Sequence, residues 1–121
     1  MPEYAPIHKP GEAFTRTTSA AVTAGQVLIV SGNDTVAPSS AASAAWLGVA
    51  AFDAASGDIV TVLSGGVHEL AASGAIAAGA RVITAAAGAV ADIAAGTDYS
   101  QIVGVALAAA SGGKVRVKLA R

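Results

Sequence analysis

The segment Leu47-Gly-Val-Ala50 (LGVA) recurs about 56 residues later as Val103-Gly-Val-Ala106 (VGVA). This match belongs to a longer series of glycine and valine matches that keeps one order along the chain. The other pairs are Val22-Thr-Ala-Gly25 with Ile76-Ala-Ala-Gly79, Leu28-Ile29 with Val82-Ile83, Val36 with Val90, Ser56-Gly57 with Ser111-Gly112, and Val60-Thr-Val62 with Val115-Arg-Val117. An offset that stays between 54 and 56 residues indicates an internal repeat. The sequence therefore predicts two similar units, over residues 21–70 and 75–121, packed as one domain with a pseudo-twofold.

Short β-branched runs separated by turn residues predict a mainly β fold. Runs of strand length alternate with turns rich in glycine, serine and aspartate. The runs are Gln26–Val30, Leu47–Ala51, Ile59–Leu63, Arg81–Thr84, Ile102–Leu107 and Val115–Leu119. Alanine favours helix, which makes Ser39–Trp46 and Ala85–Ala95 candidates for a short helix. We therefore expect a mostly β protein with at most one or two short helices.

The first 18 residues differ from the rest of the chain. Three prolines among the first ten residues disfavour a helix, because each removes a backbone donor and pushes its predecessor into extended geometry. Residues 1–18 are therefore predicted to form an extended N-terminal arm ahead of a β-rich domain over residues 19–121. The candidate apolar anchors of this arm on a partner surface are Tyr4, Ile7 and Phe14.

The composition excludes several classes of function. The formal net charge of −1 argues against a general nucleic-acid binder. Although 54% of the residues are hydrophobic, no window supplies the ~20 uninterrupted apolar residues of a membrane span, and no signal peptide is visible. The absence of cysteine excludes disulfides, thiolate chemistry and Cys-ligated zinc. We expect a soluble protein with neither nucleic acid nor membrane as a partner.

The residue inventory does not support catalysis. His68-Glu69 is the only adjacent pair that resembles acid–base machinery, and the sequence offers no orienting partner or nucleophile for it. A surface turn is the better interpretation of that pair. The aspartates lie mostly beside Gly, Ser, Thr or Asn, where Asp closes turns; they are Asp34, Asp53, Asp58, Asp92 and Asp98. The sequence predicts no catalytic residues, no metal site and no cofactor, and it assigns the lone Trp46 to the core or a subunit interface.

Basic residues concentrate at the end of the chain. Lys114, Arg116 and Lys118 share one face of the last predicted strand. The opposite face carries Val115, Val117 and Leu119. One interpretation, which we prefer, is a solvated final strand whose lysines discourage edge-to-edge pairing. The other is a docking face for an acidic protein surface, and the sequence leaves it open.

Several segments together resemble the small capsid decoration (cement, head-stabilising) proteins of tailed bacteriophages and prophages. They are Ala21–Leu28, Leu47–Ala50, Ala54–Asp58, Gly66–Leu70, Gly74–Ala80, Val103–Leu107 and Ser111–Leu119. The resemblance implies a small β-barrel or β-tulip-like domain that forms a homotrimer. Related proteins often engage the shell through an N-terminal arm, which would correspond here to residues 1–18. The resemblance brings no catalytic residues.

The function that this resemblance implies is structural. It places the protein in the virion, on the outer capsid surface, after synthesis in the bacterial host cytoplasm. Its partner would be the major capsid protein, whose neighbouring subunits it would clamp to stabilise the shell. An alternative is a carbohydrate- or host-surface-binding β module, which would usually show several exposed aromatics. Only five aromatic residues occur, and they are dispersed, so we expect a structural protein that is not an enzyme.

Overall fold

A computed structural model describes residues 13–121. Within this range the chain forms ten strands and two single-turn 3-10 helices, Ala86–Gly88 and Tyr99–Gln101. The strands are β1 (Phe14–Thr18), β2 (Val27–Gly32), β3 (Thr35–Pro38), β4 (Trp46–Ala50), β5 (Ile59–Leu63), β6 (Val67–Ala71), β7 (Arg81–Thr84), β8 (Val90–Asp92), β9 (Ile102–Ala106) and β10 (Lys114–Leu119). The predicted mainly β fold is confirmed. No helix in residues 13–121 is long and apolar enough to cross a membrane.

The strands build two five-stranded units. Strands β1–β5 close into a barrel in the order β1-β3-β2-β4-β5. Strands β6–β10 form a second sheet in the order β6-β10-β9-β7-β8, and a parallel bridge between Ala72 and Val90 links the end of β6 to β8. We call these units the first and second barrels.

Strand pairing repeats from one barrel to the other. The second and fourth strands of each barrel pair antiparallel, with a register shift at the same point. Equivalent pairs are Val27–Val49 and Arg81–Val105 between those strands, and Phe14–Val62 and His68–Val117 between the first and fifth strands. The predicted duplication is therefore present in the hydrogen bonding. The pairing divides the chain differently from the predicted ranges 21–70 and 75–121, because β1 pairs within the first barrel and β6 within the second.

Four strands lie outside the apolar runs that predicted strands: β1, β3, β6 and β8. Ser39–Trp46 contains no helix, and Ala85–Ala95 holds one 3-10 turn followed by β8. Ala87 (φ 58°) and Gly88 (φ 71°) adopt left-handed backbone conformations, which end that turn. Pairing with neighbouring strands thus outweighs the helix preference of alanine. The surface turn predicted at His68-Glu69 is wrong, because both residues lie inside β6.

The last residues of the predicted arm belong to the first barrel. Strand β1 (Phe14–Thr18) pairs antiparallel with β5 and parallel with β3. Phe14 packs against the interior of that barrel. Residues 1–12, which include the predicted anchors Tyr4 and Ile7, lie outside the described residues. Of the predicted arm, the structure describes only residues 13–18, and strand β1 takes up all of these from Phe14 onward.

Two clusters of buried side chains hold the fold together. The first lies inside the first barrel and consists of Val22, Leu28, Val36, Ala50, Val60 and Val62. The second lies inside the second barrel and extends into the first, because it includes Val27, Trp46 and Val49. Each fully buried side chain of this size stabilises the fold by about 1.5–3 kcal/mol. The shared cluster therefore fixes the two barrels against each other.

The contact between the barrels joins two different surfaces. The outer face of β2 and β4, which we call the wall of the first barrel, presents Val27, Ile29, Trp46 and Val49. This wall covers one end of the second barrel, which we call its mouth. There the Thr84 hydroxyl donates to Ala41 O (2.9 Å) and accepts from Ser43 N (2.8 Å). The barrels are therefore joined wall to mouth. The predicted pseudo-twofold is wrong, because a twofold would bury the same surface of both units.

Candidate docking surfaces

Strand β10 carries the predicted cationic face. Lys114, Arg116 and Lys118 are exposed, whereas Val115, Val117 and Leu119 are buried. This alternation follows from the pleat, which sends successive side chains to opposite faces of a sheet. The three cations, which we call the cationic row, stand about 7 Å apart at the spacing of alternate strand residues. The sequence prediction of which side chains face outward on this strand agrees with the structure.

The interpretation of β10 as an edge strand is wrong. It pairs antiparallel with β6 on one side and with β9 on the other. Its backbone groups are therefore engaged in two ladders, and its lysines protect no open edge. The charge of the cationic row stands on a rigid central strand. That setting favours the docking interpretation over the edge interpretation.

The neighbours of the cationic row are mixed in character. Arg116 lies opposite Glu69 of β6, and Lys118 lies between Val67 and Val105, both of which are exposed. A shallow depression of about 210 Å³ adjoins the row; it is lined by Glu69, Ala108, Ala109, Ser111, Lys114, Val115 and Arg116. Counting three cations and one carboxylate, this face carries a charge of about +2. Cations and aliphatic groups side by side suit contact with another protein.

Phe14 lies at the other barrel. It stands at the mouth of the first barrel, where the Arg16 guanidinium lies 4.9 Å from the centre of its ring. Arg16 Nε is also 3.6 Å from Asp34 Oδ1. A groove of about 200 Å³ opens here, lined by Phe14, Arg16, Val30, Asp34, Thr35, Val36 and Leu47. The structure therefore does not bring Phe14 and the cationic row together on one barrel.

The residues considered for catalysis have structural partners. His68 Nε2 lies 2.8 Å from Gly65 O. Three aspartates accept backbone hydrogen bonds within loops, as turn-closing residues do: Asp53 from Ala24 N (2.8 Å), Asp92 from Ala94 N (2.7 Å) and Asp98 from Ser100 N (3.2 Å). Among residues 13–121, no group of three or more His, Cys, Asp or Glu side chains could hold a metal ion.

Trp46 and Arg121 form a contact that the sequence did not indicate. Trp46 is 3% exposed and lies in the core cluster shared by the barrels. The Arg121 guanidinium stacks 4.3 Å from the centre of its ring and donates to Trp46 O (3.0 Å) and Ala44 O (3.2 Å). The core interpretation of Trp46 agrees with this placement. No local signal in the sequence sets Arg121 apart from the other basic residues near it.

The fold and its surfaces define a small β protein made of a closed five-stranded barrel and a second five-stranded unit with equivalent strand pairing. Its residues 8–121 match the family described as phage cement protein. The match spans nearly the whole chain, and the chain belongs to this family. Its members are structural proteins associated with the phage capsid. The resemblance found in the sequence is thereby confirmed.

A solved structure supports the same architecture. The chain is similar to the head fiber gp8.5 N base in bacteriophage phi29, with a TM-score of 0.69 and 22% sequence identity. The alignment covers 90% of this chain and 93% of that chain. At this identity the likeness shows the fold alone. A search of curated proteins gives no match.

Proposed function

We propose that the protein binds the outer surface of a phage capsid as a homotrimer and stabilises the shell by clamping neighbouring copies of the major capsid protein. Family membership supports a capsid-associated structural role. The observation that carries the proposal is the cationic row, Lys114, Arg116 and Lys118, displayed on a central strand. Because β10 is paired on both sides, protection of a sheet edge does not account for this row.

The cationic row suits an acidic protein surface. Pairing of β10 on both sides holds the three charges in a fixed line, so docking costs little backbone ordering. The exposed Val67, opposite Lys118 on β6, supplies apolar area to bury. Complementary charge speeds encounter and selects the partner, while the apolar groups add affinity. The acidic surface in this proposal belongs to the major capsid protein.

The predicted arm supplies a second contact in this proposal. The chain joins the first barrel at Phe14, whereas the cationic row belongs to the second barrel. Twelve residues in extended conformation span at most about 40 Å. Tyr4 and Ile7 therefore engage a capsid subunit next to the one beneath the cationic row. Two contacts on different subunits are what clamping requires.

Co-sedimentation with undecorated capsids tests both contacts. Replacing Lys114, Arg116 and Lys118 together by Glu should weaken binding by about tenfold or more, because like charges facing each other cost several kcal/mol. The matched control keeps the charge: Lys114→Arg, Arg116→Lys and Lys118→Arg together should bind nearly as the unmodified protein does. Equal binding by the Glu variant and the control would remove the cationic row from the proposal.

The arm is tested by deleting residues 1–12 while keeping β1 intact. We expect this variant to keep its oligomeric mass in light scattering, to bind capsids more weakly, and to lose its protection of the shell against heating. A variant carrying Tyr4→Ser and Ile7→Ser should show the same losses in smaller measure. A truncated protein that binds and protects capsids unchanged would contradict the arm as a docking element.

A further inference from the structure

The two barrels have equivalent mouths, but only one of them is covered by residues 13–121. In the second barrel, Thr84 bonds to the β3–β4 loop of the first barrel and Val103 lies in the shared core cluster, and both are almost fully buried. By the repeated pairing, the equivalent positions in the first barrel are Val30 and Leu47. Val30 is 46% exposed and Leu47 partly exposed, and both line the groove of about 200 Å³.

The two barrels also have equivalent walls, and again only one is covered. In the wall of the first barrel, Trp46 and Val49 are buried against the second barrel. Their equivalents in the second barrel are Ile102, which is partly exposed, and Val105, which is 41% exposed. Residues 13–121 thus leave one mouth and one wall uncovered. Both surfaces are related by the repeat to surfaces that bind each other inside the molecule.

We infer that the mouth of the first barrel receives the wall of the second barrel from another copy of this chain. This contact would repeat, between copies, the junction that already exists within each copy. It deepens the homotrimer of the proposed function and rests on it. The contact is head to tail, because it joins two different surfaces.

Side-chain sizes at the centre of the junction support this pairing. Within the chain, Gln26 of the wall lies over Gly88 of the mouth, where an added Cβ would stand 2.5 Å from Gln26 Cβ. Gln26 Nε2 also donates to Ala87 O (3.0 Å). Ala80 precedes β7 as Gln26 precedes β2, so these two positions are equivalent. In the β2–β3 and β7–β8 hairpins, which have the same length, Asp34 (φ 55°) occupies the position of Gly88 (φ 71°). Within the chain the wall side carries the larger residue of the pair, whereas in the counterpart pair the mouth side carries it. Each pair therefore combines one small and one larger side chain, and the two pairs fill a similar volume.

Charge supports the same pairing. Asp34 stands at the rim of the open mouth with 89% of its side chain exposed, and its ion pair with Arg16 leaves it accessible. Arg81 follows Ala80 on the open wall and is exposed. Docking in the manner of the internal junction brings Arg81 close to Asp34. A closed ring of copies would use every mouth and every wall, whereas an open chain would leave one of each unused.

Light scattering with complementary variants tests the head-to-tail geometry. Val30→Glu alters the mouth and Val105→Glu alters the wall, so each variant alone should be monomeric. An equal mixture should form a heterodimer, because one copy keeps its wall and the other its mouth. Ile59→Glu, on the exposed outer side of β5, is the matched control and should keep the unmodified mass. Variants that keep the unmodified mass, or a mixture that stays monomeric while both components are folded by circular dichroism, would overturn the inference.

Cysteine pairing gives a second readout that does not depend on disrupting the contact. The chain contains no cysteine, so two engineered thiols report on one contact. Mixing an Ala80→Cys copy with an Asp34→Cys copy should yield an oxidised dimer of twice 11.6 kDa, because a disulfide needs its Cβ atoms within about 4.5 Å. Ala80→Cys mixed with Ile59→Cys is the control and should stay uncrosslinked. Equal crosslinking of both mixtures, or none in either, would overturn the inference.

The two proposals fail in different ways. A protein that is monomeric in solution and yet co-sediments with capsids would overturn the head-to-tail contact and leave capsid binding standing. An oligomer that dissociates on Val30→Glu and Val105→Glu but never binds capsids would leave the contact standing and overturn capsid binding. If deleting residues 1–12 abolishes the oligomer while Val30→Glu and Val105→Glu do not, the arm holds the copies together and the inference is wrong.

Discussion

The first and second barrels share strand order and register but differ in what covers them. Six buried residues of the first barrel fill its interior, and a groove remains at its mouth. The interior of the second barrel continues into Trp46, Val27 and Val49, which the first barrel contributes. The first barrel therefore contributes side chains to the core of the second barrel, and the second barrel receives them. The strand pairing, which is the same in both barrels, does not determine which barrel contributes side chains and which receives them.

This difference shows how a duplicated unit gains distinct surfaces. Counterpart residues differ in kind where one barrel buries a position at the junction and the other barrel leaves it exposed. Thr84 is buried with two hydrogen bonds, whereas its counterpart Val30 faces the open groove. Gly88 makes room for Gln26, whereas its counterpart Asp34 carries a charge. The contact between the barrels, more than the strand pairing within each barrel, accounts for the residue types at these positions.

The largest expected effect comes from replacing Trp46, which lies in the wall that is buried within the chain. Trp46→Ala should lower the free energy of unfolding by about 3–5 kcal/mol, because it opens a cavity in the core shared by both barrels. The counterpart substitution Ile102→Ala, on the open wall, should cost less than half as much. Urea unfolding of both variants checks this. Equal losses would mean that the two walls contribute alike.

A smaller effect sharpens the comparison between the two mouths. Thr84→Val preserves shape but leaves Ala41 O and Ser43 N without their side-chain partner, which should cost about 1–3 kcal/mol of unfolding free energy. In the Val105→Glu background, whose mouth is left uncovered, the reverse exchange at the counterpart, Val30→Thr, should change stability by no more than about 0.5 kcal/mol, because that site is exposed in a single copy. Thermal unfolding of the two variants makes the comparison. A larger cost of Val30→Thr in the unmodified protein than in the Val105→Glu background would show that another copy covers the first mouth.

The smallest expected effect concerns the rim of the open mouth. Asp34→Asn removes the charge that faces Arg16 but tolerates the positive φ of 55° at this position. Because the carboxylate is largely exposed, the free energy of unfolding should fall by no more than about 0.5 kcal/mol. The loss should shrink further at high salt, as screening weakens the pair in the unmodified protein. A larger, salt-independent loss would indicate that Asp34 holds the mouth by hydrogen bonding.

Strong local patterns predicted much of the fold. The runs at β5 and β7 agree with the observed strands residue for residue, and those at β2, β4, β9 and β10 agree to within two residues at each end. The strands that were missed have mixed or short patterns; β8, for example, is three residues long. Such segments become strands because neighbours in the barrel offer them hydrogen bonds. The match of β1 to β6 was missed for the same reason, since only their pairing partners make them equivalent.

The candidate surfaces were predicted in part. Alternation along β10 correctly placed Lys114, Arg116 and Lys118 on the outer face. Whether β10 is an edge strand could not be read from the same residues, because its partner β6 lies more than 40 residues earlier in the chain. The wall-to-mouth junction could not be predicted from the sequence either. Val49 and Val105 occupy matching positions in matching runs, so the pattern does not show that only Val49 is buried.

The sequence by itself determined the duplication, the mainly β fold and the family, because glycine and valine spacings are local signals that survive without knowledge of contacts. Tertiary structure alone decided which wall is buried, which mouth is open and where β10 sits in its sheet. The physical reason is that burial and pairing depend on what another part of the chain places against a residue. Two segments with the same pattern can therefore end in different surroundings, as Trp46 and Ile102 do.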